Sequence, residues 1–326
     1  MNQPVSIPVT IVTGFLGSGK TTLLNRLLKR PSLADTVVIV NEFGEVGLDH
    51  LLIEQAIENT VLLKNGCICC TVRGDVADTL AMLWRQRADG IIPPFGRIVI
   101  ETTGLADPGA VAQALVAGPG DTYACHLDGI VTTLDAVHGL HQVATREEAR
   151  RQLALADLVL LTKADLASAN ETSEARRVAA SWNPVAAVLT VTNGAPGDAA
   201  LFGLGGASWA RLGMTGETGH RHFHHDAQIG SILLTRDTPV AWDALARWLD
   251  SLLSLRGADV LRIKGLVDVV GIAAPVVLQA VHQVVHPAVR LPAWPGGRAM
   301  TELVVIHQGL PESGVRASWQ EALSGQ

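Results

Sequence analysis

The stretch that decides the fold is Gly14-Phe15-Leu16-Gly17-Ser18-Gly19-Lys20-Thr21. It matches the pattern G-x-x-x-x-G-K-[ST] at every defined position. An apolar run that ends at Val12 predicts a strand before it, and the residues from Thr22 to Lys29 have the apolar repeat of a helix. A strand, a glycine loop and a helix start direct backbone N–H groups and the positive end of a helix dipole to one point. The stretch therefore predicts a polyphosphate-binding loop.

Two side chains of this loop have expected roles in that binding. Lys20 would reach the β and γ phosphates of a nucleotide, and the Thr21 hydroxyl would bind Mg²⁺. The other expected contacts come from the loop and the first helical turn, at Gly14, Gly17, Ser18, Gly19 and Thr22.

Length and composition limit the class of protein. The chain has 326 residues, 48% of them hydrophobic, which allows one large or two ordinary domains with a real core. The net charge of -6 argues against nucleic acid as the main partner. Met1 to Pro8 lack the features of a signal peptide, and no apolar run reaches the roughly 18 residues that cross a bilayer. We therefore expect a soluble cytoplasmic protein with no membrane partner.

Strand and helix signals alternate from Val5 to about Val191, which predicts an α/β domain over residues 1–200 with a mostly parallel sheet flanked by helices. The strands are predicted at Thr36–Val40, Thr60–Leu63, Arg97–Ile100, Leu127–Leu134, Leu158–Leu161 and Val188–Val191, and the helices at Val76–Arg87, Gly109–Leu115, Arg146–Leu155 and Glu171–Ser181.

A glycine-rich, histidine-containing linker is predicted over residues 201–228, and a smaller α+β domain over residues 229–326. In that domain we expect a helix from Trp242 to Leu253 and strands at Ile229–Leu234, Val260–Ile263, Val267–Val270, Val276–Val285 and Glu302–Ile306. The linker histidines His220, His222, His224 and His225 are either an auxiliary metal site or incidental residues of a solvated segment.

Two acidic segments follow predicted strands, where the ligands of parallel sheets bind. The first runs from Asn41 to His50 and includes Glu45; it is either a switch ordered by γ-phosphate and Mg²⁺ or a polar surface loop. In the second, Glu101 would hold Mg²⁺ through water and Gly104 would offer its N–H to the γ-phosphate. Leu105 stands where a water-orienting glutamine would follow Gly104, so we expect slow intrinsic hydrolysis.

Three of the four cysteines, Cys67, Cys69 and Cys70, lie within four residues between those two segments. Three thiolates can converge on Zn²⁺, Co²⁺ or a soft ion such as Cu(I), with water, Glu45, His50 or a client group as the fourth ligand. The alternatives are a buried strand end rich in small residues and a redox site.

A further motif, Thr162-Lys163-Ala164-Asp165, follows the predicted strand at residues 158–161. Asp165 can accept two hydrogen bonds from the N1–H and N2–H₂ edge of guanine, which adenine cannot supply, and the Lys163 stem can lie over the base. Thr162 replaces the more usual asparagine. The alternative is an ordinary loop in which Asp165 caps a helix.

Together these motifs resemble those of the CobW-type metal-chaperone GTPases, relatives of UreG and HypB. The resemblance rests on Gly14–Thr21, Asn41–Glu45, Gly66–Cys70, Glu101–Gly104, Thr162–Asp165 and, in the smaller domain, Leu261–Gly265. It implies a P-loop GTPase with Cys67, Cys69 and Cys70 as metal-site residues and Glu45 as a less secure neighbour. Val40 stands where some relatives have an acidic residue, so a secondary ligand is missing.

The resemblance implies a metallochaperone that hydrolyses GTP, requires Mg²⁺ and delivers zinc or cobalt to a client metalloprotein. Hydrolysis would be accelerated by metal, by a partner or by formation of a homodimer. Two other functions stay open from the sequence: a metal-buffering or storage protein that uses nucleotide only structurally, and an ATP-dependent kinase-like enzyme.

Overall fold

The computed structural model describes residues 6–40, 53–57, 60–63, 68–71, 76–117, 125–191, 196, 201–204 and 229–324. The chain divides into two compact units. The first comprises residues 1–152, 156–178 and 188–204, and the second comprises residues 153–155, 179–187 and 205–326.

Strands and helices alternate along the first unit and its borders. The strands are β1 (Ile7–Thr13), β2 (Thr36–Val40), β3 (Ile53–Ile57), β4 (Thr60–Leu63), β5 (Ile68–Thr71), β6 (Arg97–Glu101), β7 (Cys125–Asp135), β8 (Leu158–Thr162) and β9 (Ala187–Thr190). The helices are α1 (Lys20–Leu27), α2 (Val76–Ala88), α3 (Pro108–Ala117), α4 (Gly139–Thr145), α5 (Glu147–Leu155) and α6 (Ala169–Trp182).

Within the described residues these strands form one sheet in the order β3-β4-β5-β2-β6-β1-β7-β8-β9. The six strands from β5 to β8 in that order are parallel neighbours, and β3 and β4 add an antiparallel extension. The central strands are continuous apolar runs, with Val9, Ile11 and Ile39 fully buried, as strands covered on both faces require. The predicted mostly parallel α/β sheet is confirmed.

Register aligns the carboxyl ends of the central strands. Glu101 at the end of β6 pairs with Val12 of β1 on one side and with Val40 of β2 on the other. Thr71 at the end of β5 pairs with Val40 from the far side of β2. The loops that follow these strands therefore start from one edge of the sheet, where ligands of parallel sheets bind.

Several details of this unit differ from the sequence prediction. Helix α1 starts at Lys20 and ends at Leu27 rather than spanning residues 22–29. Strands β3 and β5 and helix α4 were not predicted. Helix α4 was missed because it begins at Gly139, and glycine is a poor helix former. Glycine is required there by close packing on β7, since a Cβ would lie 2.6 Å from Leu134 Cδ1.

Residues 229–324 of the second unit form an antiparallel sheet and two helices. Its strands are β10 (Ile229–Arg236), β11 (Val260–Val267), β12 (Val276–Val281), β13 (Val284–Val285), β14 (Val289–Arg290) and β15 (Thr301–Gln308), and the helices are α7 (Trp242–Arg256) and α8 (Glu312–Leu323). The order is β10-β15-β11-β12-β13, with β14 also paired to β12. The predicted α+β arrangement is confirmed, although α8 was not predicted.

Two strand predictions in this unit were wrong. In place of separate strands at residues 260–263 and 267–270 there is one strand, β11, which runs through Gly265 and ends at Val267, so residues 268–270 lie beyond it. Gly265 is a point of close approach and not a turn, since a Cβ there would lie 2.0 Å from Glu302 O. The single strand at residues 276–285 is instead a hairpin of β12 and β13, which turns at His282 with a φ of 49°. Among the described residues, no helix is long and apolar enough to cross a membrane.

Candidate functional site

The glycine loop connects β1 to α1 at the carboxyl edge of the sheet. Three of its residues have positive φ, Gly14 at 142°, Gly17 at 76° and Gly19 at 98°. Gly14 is also sterically constrained, because a Cβ there would lie 2.2 Å from Thr133 Oγ1. Gly19 precedes the first residue of α1 in a left-handed conformation, so the loop turns directly into the helix N-terminus. This backbone geometry suits an anion at the N-terminal end of α1.

Lys20 and Thr21 open α1 and face the loop and the end of β6. Lys20 is 6% exposed and donates from Nζ to Gly14 O at 2.9 Å. Thr21 Oγ1 donates to Glu101 Oε1 at 3.3 Å, and Glu101 is 1% exposed. A hydroxyl beside a buried carboxylate is an all-oxygen donor pair of the kind that Mg²⁺ prefers, so these two residues fit that ion.

A network of buried hydroxyls lies beneath the glycine loop. Ser18 Oγ and Thr133 Oγ1 are 2.6 Å apart, and Thr133 Oγ1 donates to Thr13 O at 3.2 Å. Thr102 Oγ1 donates to Thr13 Oγ1 at 2.8 Å. The network ties the loop to the ends of β1, β6 and β7. Thr133 and Thr102 were not predicted as site residues, although their positions near the carboxyl ends of buried strands could have indicated both.

The segment Thr162–Asp165 lies next to the phosphate loop. Thr162 Oγ1 donates to Ser18 O at 2.6 Å, and Lys163, whose φ is 55°, donates from Nζ to Asp135 Oδ2 at 2.7 Å. Asp165 is exposed. The structure thus brings the predicted base-binding segment and the predicted phosphate loop together through a single hydroxyl.

Asp135, at the end of β7, is a buried acid that was not predicted as a site residue. Burial by itself would raise the pKa of Asp135, but hydrogen bonds from the Lys163 ammonium and from the backbone N–H groups of His138 and Val137 outweigh it and hold the pKa below its ordinary value. The ionised carboxylate therefore fixes the Lys163 side chain. Its place directly after the predicted strand at residues 127–134 is the signal that could have found it.

The segment from Glu101 to Gly104 packs against the glycine loop. A Cβ on Gly104 would lie 2.7 Å from Leu16 N and 2.9 Å from Leu16 Cα, so the two backbones are in direct contact. Leu105 is 54% exposed and Leu16 is 50% exposed, so both present apolar side chains beside the phosphate loop. Any residue other than glycine at position 104 would separate the two loops.

The expected metal residues are described only in part. Cys69 and Cys70 lie within β5, where their backbones pair with Val38 and Ile39 of β2. Cys67, Glu45 and the linker histidines His220, His222, His224 and His225 lie outside the described residues. Within the described ranges, no three or more His, Cys, Asp and Glu side chains are grouped as a metal site requires.

Comparison with known proteins covers both units. The family model of the CobW/HypB/UreG nucleotide-binding domain matches residues 8–190, and that of the cobalamin synthesis protein cobW C-terminal domain matches residues 229–323. The chain is 35% identical over 315 residues to the zinc chaperone YjiA of Escherichia coli, which covers 96% of this chain and 98% of that protein. It is 31% identical over 364 residues to the zinc chaperone CobW of Pseudomonas aeruginosa, which covers 99% of this chain and 93% of that protein.

A crystal structure of Zn(II)-bound YjiA GTPase from E. coli superposes with a TM-score of 0.76 at 32% sequence identity, over 98% of this chain and 99% of that chain. The family match over residues 8–190 includes the glycine loop, the Glu101 segment and the Thr162–Asp165 segment. The chain therefore belongs to the CobW/HypB/UreG family of P-loop GTPases.

Proposed function

We propose that this protein is a GTP-hydrolysing metal chaperone. It binds a zinc or cobalt ion at Cys67, Cys69 and Cys70, and releases it to a client metalloprotein when its nucleotide state changes. The observation that carries the proposal is the sheet register: β5, which contains two of the cysteines, is separated from Glu101 by β2 alone.

The register makes coupling between metal and nucleotide physically reasonable. Thr71, Val40 and Glu101 form one row across β5, β2 and β6, which spans about 10 Å at the usual strand spacing. Cys70 directly precedes Thr71, and the chain that leaves Val40 is the segment that contains Glu45. A change at Glu101 on binding GTP can therefore reach the cysteine strand through a single intervening strand.

Relatives support zinc as the cargo. Two proteins that match over nearly the whole chain are named zinc chaperones, and the YjiA crystal structure is of a Zn(II)-bound form. Thiolates also bind Co²⁺, so the residues alone do not choose between the two ions. The metal ion is the substrate that the protein carries.

Hydrolysis converts GTP and water to GDP and phosphate. Thr21 and Glu101 would hold Mg²⁺, which neutralises charge on the β and γ phosphates. Lys20 and the N–H groups of the loop and of α1 bind and orient those phosphates. Gly104 lies against Leu16 of the loop, where its N–H would meet the γ-phosphate. Leu105 has no group to orient the attacking water, so the intrinsic rate is slow.

The base site favours guanine. The Thr162 hydroxyl joins the base segment to the phosphate loop, and Asp135 holds the Lys163 side chain. Asp165, three residues after Thr162, is exposed. A carboxylate there accepts from both donors of the guanine edge, so GTP and GDP are the ligands that we assign to it.

Single-turnover and steady-state GTPase assays of cysteine variants test the proposal. Cys67→Ala, Cys69→Ala and Cys70→Ala should each abolish stimulation of hydrolysis by Zn²⁺ or Co²⁺ and leave the basal rate within about twofold, since each removes a thiolate ligand. The matched control is Cys125→Ala, because burial raises the pKa of the Cys125 thiol and makes it a poor ligand. A storage protein would show no metal stimulation in the wild type, and that result would contradict the proposal.

A further inference from the structure

Helix α5 contains a buried glutamine that contacts the segment after Glu101. Gln152 is 1% exposed, and its Nε2 donates to Gly104 O and to Ala106 O, each at 3.1 Å. The backbone of the same residue is fixed from the other side, because Thr132 Oγ1 on β7 donates to Gln152 O at 2.8 Å. The side-chain amide of Gln152 thus binds two carbonyls of the loop after Glu101, and the backbone of Gln152 is itself anchored to the sheet.

The segment that Gln152 holds is the one that contacts the phosphate loop. A Cβ on Gly104 would lie 2.6 Å from Leu16 Cδ2 and closer than 3 Å to the Leu16 backbone, so Gly104 packs directly against residue 16. The neighbouring side chain on α5 contributes as well, since Arg151 Nη1 lies 3.6 Å from Asp107 Oδ2. The path from Gly104 to Asp107 is therefore fixed by two consecutive residues of one helix.

We propose that Gln152 is a positioning residue for GTP binding and hydrolysis: it holds Gly104 against the phosphate loop, where its N–H meets the γ-phosphate. The inference rests on the proposed GTPase site. A loop that is ordered before binding loses less conformational freedom when the γ-phosphate arrives. GDP has no γ-phosphate, so its affinity does not depend on this loop.

The chemistry of the amide makes the proposal specific. A glutamine amide has two N–H donors, whereas glutamate of the same length offers only acceptors when ionised and methionine offers no donor. Hydrogen bonds in a buried site are also stronger than in water. Gln152→Met removes both bonds at similar volume, and Gln152→Glu replaces attraction to the two carbonyls by repulsion.

The experiment measures the affinity of each full-length variant for GDP and for a non-hydrolysable GTP analogue, together with kcat and KM for GTP. For Gln152→Met we expect the GTP analogue to bind about tenfold more weakly and GDP to bind within about twofold of wild type. The variant loses two buried hydrogen bonds that hold the loop at Gly104, and only the γ-phosphate contacts that loop. Gln152→Glu should lose at least as much, and kcat should fall in both variants.

The matched control is Asn183→Leu. Asn183 is a fully buried amide whose Nδ2 also donates to two backbone carbonyls, Leu153 O and Ala154 O, each at 3.0 Å. These acceptors belong to α5 itself and not to the loop after Glu101. This variant should lose stability while its ratio of GTP-analogue to GDP affinity stays at the wild-type value.

The inference would be overturned if Gln152→Met weakened binding of GDP and of the GTP analogue by the same factor. It would also be overturned if Asn183→Leu changed the ratio of the two affinities as much as Gln152→Met does. Should Gln152→Met not fold, hydrogen exchange of the wild type decides. The Ala106 amide, which donates to Thr103 O within this loop, should be protected before nucleotide is added, and its exchange at the rate of an unstructured peptide would refute the inference. A wild type that binds no GTP would instead refute the proposed function, whereas normal wild-type binding with unaffected Gln152 variants refutes the positioning role alone.

Discussion

Thr162 shows how one substitution in a motif is accommodated by geometry. Its hydroxyl donates to Ser18 O at 2.6 Å, and Leu134 O lies 3.3 Å away as a second acceptor. A hydroxyl carries one proton, so the shorter contact takes it. A threonine in place of the usual asparagine therefore still ties the base segment to the phosphate loop, although its side chain has one hydrogen-bond donor fewer.

Glycine is required in the phosphate loop for two different reasons, which a pair of variants separates. Gly14→Ala meets both a positive φ and a clash with Thr133 and Ser18, whereas an alanine at Gly17 meets only the positive φ, since nothing lies within 4 Å of its Cβ. We expect Gly14→Ala to lower the free energy of unfolding by roughly 2–4 kcal/mol and Gly17→Ala by about 1 kcal/mol, measured by urea titration. Equal losses would show that the clash at Gly14 is relieved elsewhere.

Asp135 should make stability depend on pH at the acid end. Its pKa in the folded protein lies below its ordinary value, so the stability that it contributes is present above the unfolded pKa of about 3.9 and is lost as the pH falls through the folded pKa. Asp135→Asn should therefore be less stable at neutral pH, and its unfolding free energy should decline less steeply below about pH 4. Urea titrations from about pH 6 downwards test this, and parallel curves for the two proteins would contradict it.

At the scale of elements, α7 and α8 pack against each other through a pair of tryptophans. Trp248 and Trp319 are 4% and 5% exposed, and their rings pack edge to face with centroids 4.9 Å apart. Trp319→Ala should lower the free energy of unfolding by roughly 3–5 kcal/mol because it leaves a cavity in this core. Trp242 on α7 is 41% exposed and supplies the control, since Trp242→Ala should cost less than about 1 kcal/mol. Similar losses in the two variants would place the core of this unit elsewhere.

The elements that sequence could predict are those with a strong local signal. Strand β2 and helix α2 are apolar or periodic in themselves, and their predicted bounds agree with the structure within one residue. Helix α4 and the unbroken β11 depend on Gly139 and Gly265, whose local preference is overridden by close packing against Leu134 and the β15 backbone. Local propensity does not contain that information.

The candidate site divides in the same way. The glycine loop, Glu101 and the Thr162–Asp165 segment each have a pattern that sequence reveals. Asp135 is marked only by its place after a predicted strand, and Gln152 by no pattern. Each acts through a partner that is distant in the chain, Lys163 for the first and Gly104 for the second. Only the fold brings those partners together.

At the scale of the whole molecule, the proposed function requires that binding of the nucleotide changes the affinity for the metal, and that binding of the metal changes the affinity for the nucleotide. The connection runs through the first sheet, from Glu101 on β6 across Val40 to Thr71 beside Cys70. Such coupling is reciprocal, so the factor by which GTP tightens the metal must equal the factor by which the metal tightens GTP. A metal store with a structural nucleotide would show no such factor.

The most direct test is the Zn²⁺ dissociation constant, measured by chelator competition with the protein loaded with Mg²⁺ and either a non-hydrolysable GTP analogue or GDP, and repeated with Co²⁺. Our account predicts that the metal binds at least about fivefold more tightly in the GTP-analogue state, within the usual range of coupling between sites. Cys67→Ala should remove that difference. Equal metal affinity in the two nucleotide states of the wild type would contradict the central claim.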